Sequence, residues 1–471
     1  MTDAVVLGGG PAGIRAALAL RGQGLRTVLV DEGRVPGGQV YRAPFGQRDA
    51  AVAKAGGDLA RGDRLRAALA GSGTTVLSGH RAWFAAPGRL ACFGPDGPVE
   101  LAAPALVLAV GTTERVMPVP GGTLPGVIGL AAATILLKAH GVLPPGPIVV
   151  AGVGPLLYAV AAGVLKAGGQ VAAVVDLLRP MEWSAALPGL ASRPDLVARG
   201  VGWMAALLRA GVPVHRGATV TAVHGTDWVE AVEVARAGAD WAPLPGRRLI
   251  AAGSLAIGHG LVPATELSRL LGIRHRFEAA RGGWVPEVDA DGRAAAGVYV
   301  AGDCAGVSGA VAAEWAGTLA GLAAARDLGA LSAERFAAAT AATRRGLARA
   351  ARFGWTISRM MALRPGLVEA ATPDTVVCRC EDVARRTIDE VAARGARTVN
   401  QLKSTSRCGM GPCQGRSCAE PAAEIMAVAT GRSREQVGQW TARAPIRPIP
   451  LDAALGTFAY EDIPRPPLLP A

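Results

Sequence analysis

Apolar and polar positions along the chain mark out two strand–turn–helix units and a different, helical C-terminal pattern. Ala4 to Leu7 is a short apolar run, followed by a glycine cluster and then IRAALALRGQG, whose apolar residues recur at helical spacing. A second strand runs from Thr27 to Val30, and LVLAVGT, Leu106 to Thr112, is a third that ends in a glycine turn. The pattern then starts again. Ile148 to Ala151 is a buried-type strand, a glycine turn and a helix follow, and Val171 to Val175 is the next strand. Arg248 to Gly253 (RLIAAG) and Gly297 to Cys304 (GVYVAGDC) read as strands that return the chain to the first unit, the latter followed by a Gly/Ala-rich helix. Strands alternating with helices predict α/β architecture with parallel sheets, here two Rossmann-like units.

The first turn carries chemistry. Gly8-Gly9-Gly10-Pro11-Ala12-Gly13 is a G-x-G-x-x-G loop between a strand and a helix. Gly8 makes the tight turn, Gly10 lets a pyrophosphate approach the backbone, and Gly13 lets the helix pack close to the strand. The helix N-terminus then faces the phosphates. Asp31 follows Gly13 at about the ~20-residue spacing of a carboxylate that binds a ribose hydroxyl, with Glu32 beside it as a solvated neighbour. The motif with strand, helix and acid in place predicts a dinucleotide site. The second turn, Gly152-Val153-Gly154-Pro155-Leu156-Leu157, has lost the third glycine. Leu157 would hold helix and strand apart, so NAD binding here is open against a purely structural role, although Asp176 ends the next strand. Few basic residues follow Asp176, which argues further against NADP.

Composition narrows the class. The chain has 471 residues, half of them apolar and 63 of them glycine, enough for two to four compact domains and unlike a disordered chain. The net charge is +12, and only Lys54, Lys138, Lys166 and Lys403 of the 49 basic residues are lysine, which reads as codon bias before chemistry. No basic run is interleaved with aromatics, so nucleic acid is not an expected partner. The densest basic stretch, Arg335 to Arg364, reads as a solvated helix face or as a surface for an acidic partner or membrane headgroups. No signal peptide is visible, and Ala139 to Leu165, free of acidic and strongly basic residues, is interrupted by PPGP and GVGP, so no transmembrane segment is expected. A cytoplasmic location follows, with peripheral attachment at the inner membrane as its variant, and with it reduced thiols. The histidines, His80, His140, His215, His224, His259 and His275, show no metal spacing, and no acid–base pair or nucleophile is placed for substrate oxidation, so no catalytic residue is assigned.

Five of the seven cysteines sit in CRCEDV, Cys378 to Val383, and RCGMGPCQGRSC, Arg407 to Cys418. Three readings compete. Disulfides fit a reducing compartment poorly. Structural zinc prefers two short C-x2-4-C knuckles, and here a C-x-C stands with a C-x4-C. A [2Fe-2S] cluster takes four thiolates, two per iron, and fits best. AEPAAEIMAVATG, after Cys418, reads as a helix whose N-terminus favours thiolates. That ranks Cys413 and Cys418 with Cys378 and Cys380, and leaves Cys408 as neighbour or alternative fourth ligand.

Taken together, Val35-Pro36-Gly37-Gly38-Gln39 after the second strand, LVLAVGT and GVYVAGDC resemble the two-dinucleotide-binding-domain flavoprotein superfamily over roughly residues 1 to 330. That resemblance implies FAD in the first site, held by Gly8, Gly10, Pro11, Ala12, Gly13, Asp31, Glu32, Gly38, Gln39, Arg42, Gly111, Thr112, Gly302 and Asp303. Asp303 would lie by the flavin ribityl and pyrophosphate. Some relatives hold only an adenine nucleotide there. His259 has two readings, as a residue facing the flavin or as a loop histidine with its partners satisfied. Disulfide reductases of this superfamily carry a cysteine pair beside the flavin. This chain has none before residue 378, since Cys92 and Cys304 stand alone. The cysteine motifs resemble the ferredoxin-like domain of bacterioferritin-associated ferredoxin, where the matching ligands are Cys378, Cys380, Cys413 and Cys418.

With GGQVYR at 37–42 and GHGLVPATEL at 258–267, nearly the whole chain is similar to the α subunits of the opine oxidase, hydrogen cyanide synthase and hydroxyproline dehydrogenase group. The implied order is a discontinuous FAD domain (1–115 and 249–330), an inserted NAD-like Rossmann domain (116–248), a basic helical linker (331–370), a [2Fe-2S] domain (371–432) and a Pro-rich tail (433–471). In the resembling complexes a β subunit with its own FAD oxidises a C–N bond of an amino or imino acid. An FMN can sit between the subunits, a small third subunit can be present, and the α subunit relays electrons to a downstream acceptor. A self-contained NADH-dependent reductase is the alternative, and a non-catalytic nucleotide-binding scaffold a third reading.

Overall fold

The computed structural model describes residues 2–44 and 57–455. Its first sheet has six strands in the order Arg293–Ala295, Val298–Val300, Ala105–Leu108, Ala4–Leu7, Thr27–Asp31 and Thr75–Ser78. All pair in parallel except the antiparallel Arg293–Ala295 edge. Ala4–Leu7 and Ala105–Leu108 are buried along their whole length, as strands covered on both faces must be. Leu106 stands opposite Val298, so the two halves of the first domain are joined strand to strand across the inserted segment.

The insert forms a second, all-parallel sheet in the order Val214–Arg216, Val171–Asp176, Ile148–Gly152, Ser254–Gly258 and Val127–Gly129. Here the structure corrects the boundary read at residue 249. Pro243–Ala251 is not a strand of the first domain; it closes an antiparallel meander with Ala231–Ala237. Ser254–Gly258, wholly buried, pairs with Ile148–Gly152 inside the second sheet. The first domain resumes only at Leu261–Pro263, which pairs with Thr112–Glu114. An apolar run after a glycine turn looks the same whichever sheet receives it, and only the pairing distinguishes the two.

Two helices hold the first domain together. Pro11–Arg21 crosses Ala310–Asp327 so closely that a Cβ on Gly317 would lie 1.9 Å from the Ala12 carbonyl oxygen, and one on Gly321 would lie 2.6 Å from that of Ala16. The basic stretch is one amphipathic helix, Ala333–Met360, capped by Ser332, whose Oγ accepts from the Arg335 amide at 3.3 Å. Phe336, Ala350, Ala351 and Ile357 face inward, while Arg335, Arg345, Arg349, Arg352 and Arg359 are exposed.

The C-terminal domain is helical: Arg385–Ala393, Val399–Ser406 and Ala419–Thr430 follow a short hairpin of Val376–Cys378 and Val383–Ala384. The segment read as a tail is docked. Trp440 is buried and its indole donates to the Val399 carbonyl at 3.0 Å, and the Ile446 amide donates to the Trp83 carbonyl of the first domain at 3.0 Å. Residues 456–471 lie outside the described residues. Among the described residues, no helix is long and apolar enough to cross a membrane. Ala139 to Leu165 holds the end of a π-helical turn, a strand and a helix instead.

Two glycine substitutions separate packing from propensity. Gly317→Val should lower stability by about 2–4 kcal/mol in thermal or urea unfolding, because backbone meets backbone and cannot yield. Gly202→Ala, in the Pro194–Arg209 helix with nothing within 4 Å of the new Cβ, should instead raise it by about 0.5–1 kcal/mol.

Candidate functional site

The first candidate site is a cradle at the end of the first sheet. Gly8 takes φ +103°, its amide donates to the Val30 carbonyl at 2.7 Å, and a Cβ on Gly13 would stand 1.7 Å from the Gly8 carbonyl oxygen. Gly10 is different. A Cβ there would meet only the Cα of Gly38, at 3.9 Å, so the loop is open at that point. Pro11, Ala12 and the free amides of the helix N-terminus follow, with no side-chain cap.

Asp31 accepts from the Gly9 amide with Oδ2 and from the Gly33 amide at 2.5 Å with Oδ1. It ties the loop together and keeps a second lone pair on each oxygen for a ribose hydroxyl. Burial pushes its carboxyl up. Glu32 points outward toward Arg81, at 3.8 Å. Gly38 leans on Gly10, its own Cβ position 2.9 Å from the Gly10 Cα. Arg42 gives Nη2 to Gln39 Oε1 at 2.9 Å and leaves Nε buried with no partner among the described residues.

The returning half closes the other side. Gly302 packs against Ala12, and Asp303 Oδ1 accepts from the Ser308 and Gly309 amides at 2.8 and 2.9 Å and from the Ser308 hydroxyl at 3.3 Å. Gly111 takes φ +71° with open space around it, beside Thr112. An uncrowded Gly10, the helix N-terminus at Pro11 and an orphaned Arg42 nitrogen fit a dinucleotide's pyrophosphate and sugars. No motif marks the brace behind this cradle. Glu314 accepts from the Tyr41 hydroxyl (2.8 Å), Arg61 (2.6 Å) and Arg15 (3.1 Å), which pins the Gly37–Tyr41 loop to the returning helix.

The second unit keeps the fold but not the opening. Gly154 takes φ +95° at the helix start, yet a Cβ there would collide with Met361, whose Sδ is 2.4 Å away. Leu157 is fully buried. Asp176 is fully buried too, accepting from Tyr158 (2.7 Å), Trp183 (3.4 Å) and the Leu178 amide (3.0 Å), and burial pushes its carboxyl up to about 6. The groups that would meet a pyrophosphate and a ribose are covered by the chain itself. His259 is a satisfied histidine: it is buried with Nδ1 accepting from the Met117 amide at 3.0 Å, and burial holds it neutral, down to about 3. Cys92 and Cys304 are buried thiols pushed up to about 12 and about 11 by burial.

The second candidate site is the thiol centre. Sγ atoms of Cys378, Cys408 and Cys418 all lie within 4.8 Å of one another, and all three residues are buried. Cys378 ends a strand, Cys408 follows the Val399–Ser406 helix, and Cys418 caps the Ala419–Thr430 helix. Hydrogen bonds from Cys408 and Cys418 hold the Cys378 thiol far below its ordinary value. Cys380, exposed, and Cys413, half-buried, hydrogen-bond to each other. The thiols thus form a buried triad and a separate hydrogen-bonded pair in the same domain. Trp440 stacks over the loop between them, where side chains on Gly409 or Gly415 would strike its ring. Clustered reduced thiols at a helix N-terminus suit a thiophilic metal centre, and the set is compatible with [2Fe-2S].

A two-unit dinucleotide fold with one open cradle and a thiol centre defines an oxidoreductase of the flavoprotein type. Residues 2–344 match the family described as pyridine nucleotide-disulphide oxidoreductase, and residues 372–457 match the sarcosine oxidase A3 domain. An opine oxidase subunit from Agrobacterium tumefaciens is 35% identical over 465 residues, covering 95% of this chain and 90% of that protein. Hydrogen cyanide synthase subunit HcnB of Pseudomonas protegens is 32% identical, with 95% and 96% covered. The crystal structure of L-proline dehydrogenase from P. horikoshii superposes with a TM-score of 0.68 at 22% identity, over 96% of this chain and 79% of that one, a likeness of fold. The chain belongs to the pyridine nucleotide-disulphide oxidoreductase family, in the group that contains this opine oxidase component and HcnB.

Glu114, between the two units, gives a pH signature. Both its oxygens face the Ala131 amide at 3.0 Å, and burial pushes the carboxyl up from 4.5 to about 7. The folded state therefore holds this proton after the unfolded chain has lost it, so stability falls as pH rises from 4.5 toward 7. Glu114→Gln should be more stable than the parent by about 2 kcal/mol at about pH 8, with the difference vanishing below about pH 4.5, in urea titrations across that range.

Proposed function

We propose that the chain is the electron-transfer α subunit of a heteromeric FAD/[2Fe-2S] dehydrogenase. In this reading a partner β subunit with its own FAD oxidises the C–N bond of an amino or imino acid of the opine, proline/hydroxyproline or glycine type. A downstream acceptor takes the electrons, an FMN at the interface between α and β and a small third subunit complete the assembly, and the complex is cytoplasmic or peripheral at the inner membrane. Relatives named as subunits of opine oxidase and hydrogen cyanide synthase support the heteromeric part. FAD in the cradle would supply two-electron chemistry and the iron–sulfur centre a one-electron outlet.

The observation that carries this reading is Met361 against Gly154, together with the buried Asp176. They cover the glycine turn and the acid of the second unit, which favours electrons entering from another subunit over a nicotinamide nucleotide bound here. Within the cradle, Gly10 and Gly38 admit the pyrophosphate, Asp31 orders the loop and meets the ribose, and Asp303 orients the returning helix N-terminus.

For the cluster the proposed ligands are Cys378, Cys380, Cys413 and Cys418. In support, Cys378 and Cys418 lie in one group of buried thiols, which also includes Cys408, and Cys380 and Cys413 hydrogen-bond to each other.

An anaerobic titration of the purified protein with NADH, following flavin and cluster absorbance together, tests the electron route. Both chromophores should stay oxidised with stoichiometric NADH and bleach with dithionite. Rapid bleaching by NADH would make the chain a reductase in its own right and overturn the proposal. The ligand set is checked separately by iron content. Cys413→Ala and Cys378→Ala should lose the iron, while Cys408→Ala should keep it; the reverse for Cys408 and Cys413 would replace one ligand by the other.

A further inference from the structure

A third site lies at the far end of the Ala419–Thr430 helix, away from the cradle and the thiol centre. There a cleft of about 380 Å³ opens between the Phe277 strand, the Leu363–Pro365 segment and that helix. Its charged lining is Arg115, Arg432, Arg434 and Glu424. Arg434 is nine-tenths buried. Its Nε donates to Glu424 at 2.7 Å and its Nη2 to Glu420 at 3.1 Å, while Nη1 is buried with no partner among the described residues. Arg432 likewise has a buried Nε with no partner among them. Arg115, engaged with the His259 and Met361 carbonyls through Nε and Nη2 at 3.0 Å, brings Nη1 only to 4.0 Å of Glu420.

Three guanidiniums thus face two carboxylates, and two buried donor nitrogens lack an acceptor among the described residues. Buried donors without partners are costly, and native proteins rarely leave them so unless something else accepts. Guanidinium forks match the geometry of carboxylate and phosphate oxygens. Glu424 also lines the cleft, its Oε1 accepting from Arg434 Nε. The rest of the wall is apolar: Phe277, Leu363 and Val428, with Phe277 lying under the Arg434 guanidinium at 5.4 Å.

We propose that this cleft binds a small organic anion, a carboxylate or phosphate monoester with an apolar body. The oxygens would take Arg434 Nη1 and Arg432 Nε, and the body would lie against Phe277, Leu363 and Val428. Val428, ten residues after Cys418, sets the ligand about 15 Å along the helix axis from the thiol centre, at about 1.5 Å per residue. An anion there would hold the junction of the two units with the cluster domain. Its binding does not depend on the redox role proposed above.

The test is calorimetry and thermal shift on the intact protein with three probes, namely benzoate, phenyl phosphate and inorganic phosphate, against chloride at matched ionic strength. Benzoate or phenyl phosphate should bind saturably, and which of them binds tells carboxylate from phosphate. Arg432→Gln should weaken that binding at least tenfold, and Val428→Trp, which fills the cleft, should abolish it, both with unchanged flavin and iron content. Three results would overturn the proposal: no saturable binding by either organic probe, equal binding of inorganic phosphate, or binding undiminished in both variants.

Discussion

The cradle depends on one contact between backbones. Gly317 and Gly321 bring the helix Ala310–Asp327 against Ala12 and Ala16 of the helix Pro11–Arg21. Any side chain at those glycines would push the helices apart. With them in place, the two helices run side by side in the same direction, Gly317 against Ala12 and Gly321 against Ala16, so both N-termini lie toward the same end of the first domain. The same crossing carries Glu314, less than one turn before Gly317, to the place where Arg15, Arg61 and Tyr41 meet it. Through Tyr41 it fixes the Gly37–Gly38 loop, the other wall of the cradle. Crossing, brace and loop are therefore one construction, and sheet pairing of Val298 with Leu106 sets the height at which it is built.

In the second unit the same architecture serves a different end. The surface that would face a dinucleotide is packed instead. Val153, Leu177 and Leu178 share one apolar cluster with Leu367 and Val368 and with Ile388 and Ile425 of the C-terminal domain. Met361 stands at the helix start, and Tyr158 and Trp183 close over Asp176. This shared cluster anchors the C-terminal domain, and with it the thiol centre, against the second unit rather than leaving it tethered beside it.

How far the sequence could be read follows from which interactions are local. The glycine loop, the strand before it and Asp31 lie within one continuous stretch, so the strand–turn–helix arrangement is legible from spacing, and the structure has the strand at Ala4–Leu7 and the helix at Pro11–Arg21. Leu157 already signalled a changed second unit. Met361 could not be foreseen, because it lies roughly two hundred residues beyond Gly154 and carries no motif. The place of Ser254–Gly258 was illegible for a related reason: strand pairing decides it, and an apolar run carries no label for its sheet. The five cysteines were legible as a group, but their division into a triad and a pair depends on how the Val399–Ser406 helix returns Cys408 to Cys378. Trp440 and Ile446 show that a proline-rich composition does not imply a free tail.

The near absence of lysine takes on a structural meaning at the domain junction. Codon usage sets the supply of arginine, but Arg115 does what a lysine could not. Its planar fork reaches the His259 carbonyl and the Met361 carbonyl at once, while a third nitrogen faces Glu420. It joins the strand region after Thr112, the segment that seals the second unit and the helix that starts at Cys418. Arg434 repeats the arrangement from the other side, binding Glu424 and Glu420 together. Buried charge of this kind stabilises only when it is paired, and removing one member strands the others. The junction is thus specified by geometry rather than by apolar contact alone. Any change that shifts the cluster domain relative to the second unit must break several of these bonds together.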